Sequence, residues 1–325
     1  MKILILHTYI PPDAPSEEQD TMWSEAAVRA AILEHGHDVV SAPFVPELSK
    51  LKALLDEHRP TVVFNLVESV NGLCELAPIA PIMLEKLRMP YTGSHASTLS
   101  VTSDKTLSKE IMRQCGLPTA DWIVPPDWHG LEEGRKYIVK HATEDCSLGL
   151  DDGAVVTGAK AVRERALHSK ALHGGRWFAE AYIDGREFNV SCIEKDGKPM
   201  VLPAPEMHFY NWSPDRPKIV GYAAKWDEDS FELDNTDRTF GTEEKEPELA
   251  RMLSDLVAKT WTQFGLHGFG RVDFRLDAEG HPYILEVNPN ACLEPNCALA
   301  AAANAAGLGY SDLVMQVIEE GLKCW

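Results

Sequence analysis

Asp273, Glu286 and Asn288 are three oxygen-bearing side chains whose spacing suits a divalent cation. They sit in the stretch GFGRVDFRLDAEGHPYILEVNPN, residues 268–290. Val272, Phe274 and Leu276 alternate with Arg271, Asp273 and Arg275, the period of a strand with one apolar and one charged face. Asp277-Ala278-Glu279-Gly280 supplies turn residues, and a second strand over Tyr283–Asn288 puts Glu286 and Asn288 on one face. A loop of even length brings all three side chains to the same face of the hairpin. Two carboxylates and an amide carbonyl are hard ligands of the kind Mg²⁺ takes, its other positions going to water and phosphate. The alternative is a solvated sheet face of mixed charge. Asn288-Pro289-Asn290 favours the site, because it ends the strand sharply beside the carboxylate.

Other stretches offer matching chemistry. Ser103-Asp104-Lys105 opens a helix, capped by a Ser or Thr, that runs to Gln114. A lysine in the first turn opposes the helix dipole, which suggests that Lys105 is kept there for phosphate. Lys109, one turn on, reads as a solvated surface residue. Lys140 ends the strand Tyr137–Lys140, and the loop that follows, 141–152, carries Ser147 and Gly149 where a phosphate would be gripped. Glu180 and Glu187 flank a tight turn, either as two acids holding a nucleoside or as a hairpin with acidic ends. Glu17 and Glu18 stand at a helix start, where acids are favoured, or face a substrate amine.

These residues need elements to hold them. Residues 1–95 alternate strand and helix: Lys2–His7, a helix over 18–35 with Trp23, Ala27, Ala30 and Leu33 near helical spacing, Asp38–Ala42, Leu48–His58, Thr61–Val67 and a helix over 79–88. The βαβαβ pattern lacks a Gly-x-Gly-x-x-Gly turn after the first strand, which argues against a dinucleotide site of the usual kind. Residues 206–247 are polar and unpatterned, with Gly221–Trp226 as the one focused stretch. So long an irregular loop is functional or disordered. A helix over 248–265 and two closing helices, 298–306 and 311–322, complete the chain.

At 325 residues and 44% apolar composition the chain holds two or three compact units. A net charge of -19 argues against nucleic acid as a partner. No run approaches a membrane span, and the first six residues read as a buried strand rather than a signal peptide. Seven scattered cysteines fit a reduced, cytoplasmic setting. Cys292 and Cys297 are the one close pair, with no further metal ligand at zinc spacing nearby.

The order of these parts resembles the D-alanine–D-alanine ligase branch of the ATP-grasp superfamily along nearly the whole chain. Four pieces carry the likeness: Pro90-Tyr91-Thr92-Gly93-Ser94 followed by Asp104-Lys105, Ile138-Val139-Lys140 with its loop, Glu180-x-Tyr-Ile-x-Gly-x-Glu187, and Gly270-Arg271-x-Asp273 with Glu286-x-Asn288. The resemblance implies an α/β fold, with a Rossmann-like N-terminal domain (1–95), a central ATP-grasp domain (96–183) and a C-terminal ATP-grasp domain bearing the metal site (184–325). It implies that Lys105, Lys140 and the Ser147 loop contact ATP phosphates, that Glu180 and the backbone at Ile183 hold adenine, and that Glu187 holds the ribose. Asp273, Glu286 and Asn288 would hold two Mg²⁺ ions, with Mn²⁺ as the alternative. Arg271 would stabilise charge on the reacting carbonyl, and Lys225 would reach the transferred phosphate.

The implied activity is carboxylate–amine ligation through an acyl phosphate, releasing ADP and phosphate, by a cytoplasmic enzyme that is a homodimer by family analogy. The amino-acid pocket departs from the family pattern. Glu17 or Glu18 supplies the first acid. Glu68-Ser69 replaces a histidine–glycine, Cys146 a serine, Trp226 a tyrosine, Cys292 a glycine, and Cys297 the serine that meets the second alanine. The expectation is therefore a ligase for amino-acid-like substrates other than two D-alanines. The alternatives are an authentic D-alanine–D-alanine ligase, an ATP-dependent phosphotransferase, and a non-catalytic nucleotide-binding module.

Overall fold

The computed structural model describes residues 1–11, 14, 16–144 and 147–323, with the backbone alone at 16–18. Its first part is β1 (Lys2–His7), α1 (Ser16–Glu34), β2 (Asp38–Pro43), α2 (Leu48–His58), β3 (Val62–Leu66) and α3 (Ile79–Lys86). The strands form a parallel sheet in the order β2-β1-β3, extended by a bridge from Val63 to Tyr91. β1 is apolar on both faces because both are covered. Leu4 and Leu6 pack with Phe44, Leu51 and Leu84, whereas Ile3 and Ile5 pack with Val28, Ile32, Val314 and Ile318.

The inward face of α1 differs from the expected stripe. Thr21, Ser24, Glu25, Val28, Ala31 and Ile32 are buried, while Trp23 and Leu33 are exposed. Glu25 is a buried acid satisfied by Arg29 and by the hydroxyl of Ser41. Three polar residues on the packed face hide its periodicity from a hydrophobic reading.

After α4 (Ala96–Thr102) and α5 (Lys105–Gln114) comes an antiparallel sheet of β4 (Trp122–Ile123), β5 (Lys136–His141), β6 (Val155–Thr157) and β7 (Trp177–Ala181), in the order β4-β7-β5-β6. α6 (Gly158–His173) covers it through Val162 and Ala166. The cap of α5 is Asp104, not a Ser or Thr. Its carboxylate accepts from Thr106 N and Leu107 N, and Arg176 anchors the other oxygen at 2.8 Å.

The second antiparallel sheet comprises β8 (Arg186–Lys195), β9 (Lys198–Val201), β10 (Glu206–Phe209), β11 (Thr236–Thr239), β12 (Phe269–Leu276) and β13 (Pro282–Asn288). Its order is β11-β10-β8-β12-β13, with β9 also on β8. β7 and β8 lie in different sheets, so the tight turn between Glu180 and Glu187 is not a hairpin but a crossing from one sheet to the next. Gly185 is needed there, since a Cβ would stand 1.8 Å from the Leu276 carbonyl oxygen.

The stretch 206–247 is not one irregular loop. It contains β10, β11 and the short helices α7 (Ala223–Trp226), α8 (Phe231–Asp234) and α9 (Thr242–Lys245), each of four residues and too short to show a period. α10 (Pro247–Phe264) ends on Gly265 in the left-handed region and packs Leu253, Val257 and Trp261 onto the sheet. α11 (Ala298–Ala305) and α12 (Tyr310–Lys323) return to the first sheet. No helix among the described residues is long and apolar enough to cross a membrane.

Candidate active site

The hairpin β12–β13 pairs Arg271 with Asn288 and Asp273 with Glu286, which places the predicted acids and amide on one face. The register then shifts, and Phe274 pairs with Ile284, leaving Leu285 as the extra residue of a bulge. This face is largely shielded: Asp273 and Arg275 are 5% and 4% exposed, and Arg271, Glu286 and Asn288 are half-buried. Arg271 grips Asp273 through two bonds, Nε at 2.7 Å and Nη2 at 2.8 Å. The amide of Asn288 lies 3.1 Å from Asp273 Oδ2 and 3.5 Å from Glu286 Oε1. Burial pushes the Glu286 carboxyl up, but Lys105, Lys225, Lys140 and Arg271 outweigh it and take it to about 2. Burial also opposes the Arg271 charge, and Asp273, Glu286 and Cys297 hold it on.

Lys105, the first residue of α5, donates to the Glu144 carbonyl at 2.8 Å and stands 3.8 Å from Glu286 Oε2. That carbonyl is held in place by His141, whose Nδ1 accepts from Thr143 N and Glu144 N at 3.2 and 3.0 Å. Burial, then the Lys105 charge, lowers the His141 pKa to about 4, keeping the ring neutral as this acceptor role requires.

One turn along α5, Lys109 contradicts its expected place in solvent. It is fully buried, 3.1 Å from Glu180 Oε2, and donates to Thr119 Oγ1 at 2.8 Å, which in turn donates to the Ile284 carbonyl. Lys140 approaches the same Glu180 oxygen at 3.4 Å. Burial lowers the Lys109 pKa against the opposing pull of Glu180. The other oxygen, Oε1, is buried with no hydrogen-bond partner among the described residues. The only sequence signal for Lys109 is its i,i+4 spacing from Lys105, which places both on one helix face.

Glu187 is buried and paired with Arg275 at 2.8 Å, and Arg275 also donates to the Gly185 carbonyl. Ile183, half-buried, lies on the crossing between the sheets. Ser147, at φ +61°, donates to the Val220 carbonyl at 3.0 Å, and Tyr222 N donates to Leu150 O. The two loops are thereby tied together. Gly221 permits this, since a Cβ there would fall 2.4 Å from Leu150 O. Lys225 follows on α7, exposed but close enough to Glu286 to act on its charge, with Trp226 half-buried beside it.

A second cluster joins three distant segments. Glu68, after β3, accepts from Thr21 Oγ1 at 3.4 Å, and Asn290 donates to the Val67 carbonyl at 3.3 Å. Asp20 of α1 lies 3.2 Å from Cys292 Sγ, and the two sulfurs of Cys292 and Cys297 are 3.0 Å apart. A ligand-type side chain therefore does stand by the thiols. It comes from a helix some 270 positions away, where spacing gives no sign of it. Burial raises the Asp20 pKa, partly opposed by Cys292. Glu17, by its side chain, and Cys146 lie outside the described residues.

The chain is similar to known proteins over most of its length. A family model described as the D-ala D-ala ligase C-terminus matches residues 111–319. A D-alanine–D-alanine ligase of Moorella thermoacetica is 29% identical over 335 residues, covering 99% of this chain and 100% of its own. A second, from Nitrosococcus oceani, is 30% identical over 250 residues, covering 74% and 72%. The fold matches the crystal structure of D-alanine–D-alanine ligase from Bacillus anthracis complexed with ATP, with a TM-score of 0.76 at 21% identity, over 100% of this chain and 98% of that one. A D-alanyl-alanine synthetase A from Vibrio cholerae gives a TM-score of 0.75 at 17% identity, over 99% and 98%. The chain belongs to the D-alanine–D-alanine ligase family, and is an ATP-dependent carbon–nitrogen ligase with the ATP-grasp fold.

Proposed function

We propose that the protein joins the carboxylate of one amino-acid-like substrate to the amine of another through an acyl phosphate, at the site between the two antiparallel sheets. The observation that carries this is the convergence of Lys105, Lys140, Lys225 and Arg271 on Glu286 and Asp273. An acidic protein has gathered its cations here, where a triphosphate would need them.

Lys105 and Lys140 would hold phosphate oxygens. The unpartnered Oε1 of Glu180 suits the amino group of adenine, and Glu187 suits ribose hydroxyls. Asp273, Glu286 and Asn288 fit Mg²⁺ by their chemistry, as hard oxygen donors brought to one face. When bound, the ion neutralises phosphate charge. A substrate carboxylate oxygen attacks the terminal phosphorus and ADP leaves. The amine nitrogen of the second substrate then attacks the acyl carbon, phosphate leaves, and the nitrogen gives up a proton. Arg271 would face the oxygen that gains charge in the second step, and Lys225 the phosphate as it transfers. The tied loops 147–150 and 219–222 would keep water out. The domain division at 95 and 183 belongs to the same reading.

For the substrates, the relatives' names favour two D-alanines, whereas the acceptor-side residues of this chain favour another pair. A small zwitterion needs hydroxyl and carbonyl partners. Here Cys297 offers a weakly hydrogen-bonding thiol and Trp226 an indole that only donates. We therefore propose an amino-acid-like partner larger or less charged than D-alanine. Purified protein with ATP, Mg²⁺ and millimolar D-alanine tests this, with products read by mass spectrometry alongside a panel of amino-acid pairs. The expected result is ADP and phosphate with a true pair, and little turnover with D-alanine alone. Rapid formation of D-alanyl-D-alanine would overturn the substrate reading. AMP and pyrophosphate as products would overturn the acyl-phosphate route.

A further inference from the structure

Cys292 and Cys297 differ from the other described cysteines in their surroundings. Cys192 is shut inside β8. Cys292 and Cys297 are only half-buried, their sulfurs 3.0 Å apart, in the loop between the acidic hairpin and α11. A disulfide needs about 2.05 Å, so closing the bond takes an approach of about 1 Å. A tetrahedral zinc ion, with Zn–S of about 2.3 Å, would have to part the two sulfurs to about 3.8 Å, whereas here one sulfur donates to the other, and among the described residues only Asp20 joins them as a third ligand where a structural zinc takes four.

The two sulfurs have different surroundings. Cys297 is the N-cap of α11, where the helix end carries partial positive charge, and it lies near enough to Arg271 to affect that guanidinium. Cys292 receives Glu294 N at 3.3 Å and donates to Asp20 Oδ2 at 3.2 Å, so an acid faces it. The arrangement supplies an attacking sulfur and a resolving one within six consecutive residues.

We propose that Cys292 and Cys297 form a redox-active dithiol that closes to an intramolecular disulfide by exchange with a small-molecule disulfide. The Cys297 thiolate attacks one sulfur of that disulfide, forming a mixed disulfide and releasing one thiol. The Cys292 sulfur then attacks the Cys297 sulfur and releases the second thiol. The two protons lost by the protein end on the two released thiols, and the small disulfide is reduced as the protein pair is oxidised. Because the loop joins the acidic hairpin to α11 and meets Asp20 of α1, closure ties down the acceptor side of the site, a consequence that rests on the substrate-site reading above.

The test treats the full chain with oxidised glutathione, then with dithiothreitol, and follows free thiols, intact mass and peptide maps. The expected result is loss of two titratable thiols and two hydrogens, mapped to one peptide containing both cysteines and reversed by dithiothreitol. Cys292→Ser should instead trap a stable glutathione adduct on Cys297. Adducts without a disulfide in the unmodified chain, or an unchanged thiol count, would overturn the proposal. So would zinc retained one-to-one after dialysis and lost from Cys297→Ser. Phosphate release measured on the oxidised chain with an active substrate pair should fall and recover on reduction. Unchanged release with the disulfide formed would overturn the closure of the site. The thiol measurements do not depend on turnover, so absence of ligase activity would count against the proposed function and leave this inference standing.

Discussion

Replacing Lys109 by Met keeps the length of the side chain and removes its charge from a site with no access to solvent. In the structure Lys109 neutralises Glu180 at 3.1 Å, and both side chains are 1% exposed. Breaking a buried pair by deleting one partner costs ~3–5 kcal/mol, because the remaining charge is left desolvated. Lys140 stays 3.4 Å from the same oxygen and offsets part of that, which puts the expected loss near the lower end, about 3 kcal/mol. Thr119 also loses a donor but keeps its own bond to Ile284. Urea unfolding with matched slopes, together with the shift in melting temperature, measures the loss. The double variant Lys109→Met/Glu180→Gln, which leaves neither charge of the pair, should recover most of it, giving a coupling well above ~0.5 kcal/mol. If Lys109→Met changes stability by less than about 0.5 kcal/mol, as a solvated surface lysine would, the buried-pair reasoning is refuted.

His141 gives a pH signature. Its folded pKa is about 4 against an ordinary 6.5, so between these values the unfolded chain binds a proton that the folded chain refuses. Its contribution is fully present above pH 6.5 and is lost as pH falls toward 4, a loss of up to about 3 kcal/mol. His141→Asn keeps an acceptor for the two backbone N–H groups and should flatten this part of the pH–stability curve in urea titrations. Removal of the divalent ion tests the acidic hairpin: ATP should raise the melting temperature with Mg²⁺ present, and much less with a chelator in its place. Equal protection in the two conditions would count against Asp273, Glu286 and Asn288 as the ion's ligands.

Residues carried by a local period were read well from sequence. β1, α2 and the β12–β13 hairpin have strong local patterns, and for α2 the ends agree to the residue. The hairpin register was legible because two strands of period 2 meet at a short turn, although the bulge at Leu285 was not. What failed depends on partners far away in the chain. Lys109 looks like any helix-surface lysine until β7 delivers Glu180 beside it. Asp20 looks like an acid near a helix start until the loop after β13 delivers Cys292. The packed face of α1 is hidden from a hydrophobic reading because it uses Thr21, Ser24 and Glu25, which bond to Glu68, Cys292 and Ser41 of other segments. In each case the tertiary fold supplies a partner to a polar side chain whose local sequence gives no sign of one.

The same feature explains how an acidic chain handles a polyanion. With net charge -19, long-range attraction for ATP is absent, so attraction must be local. Lys105 stands between the Glu144 carbonyl and Glu286, Lys140 beside Glu180, and Arg271 on Asp273. Every one of these acids and cations already has a counter-charge, which offsets the cost of withdrawing them from water. On the proposed reading, phosphate oxygens draw the two lysines away from the acids. Glu286, held ionised at about 2 by Lys105, Lys225, Lys140 and Arg271, would then be left half-buried with less positive charge around it. A divalent cation restores the balance, so ATP and the ion should bind with mutual support rather than independently. That coupling follows from the exchange of partners, and it requires the acids and lysines to face one another before anything binds, as they do here.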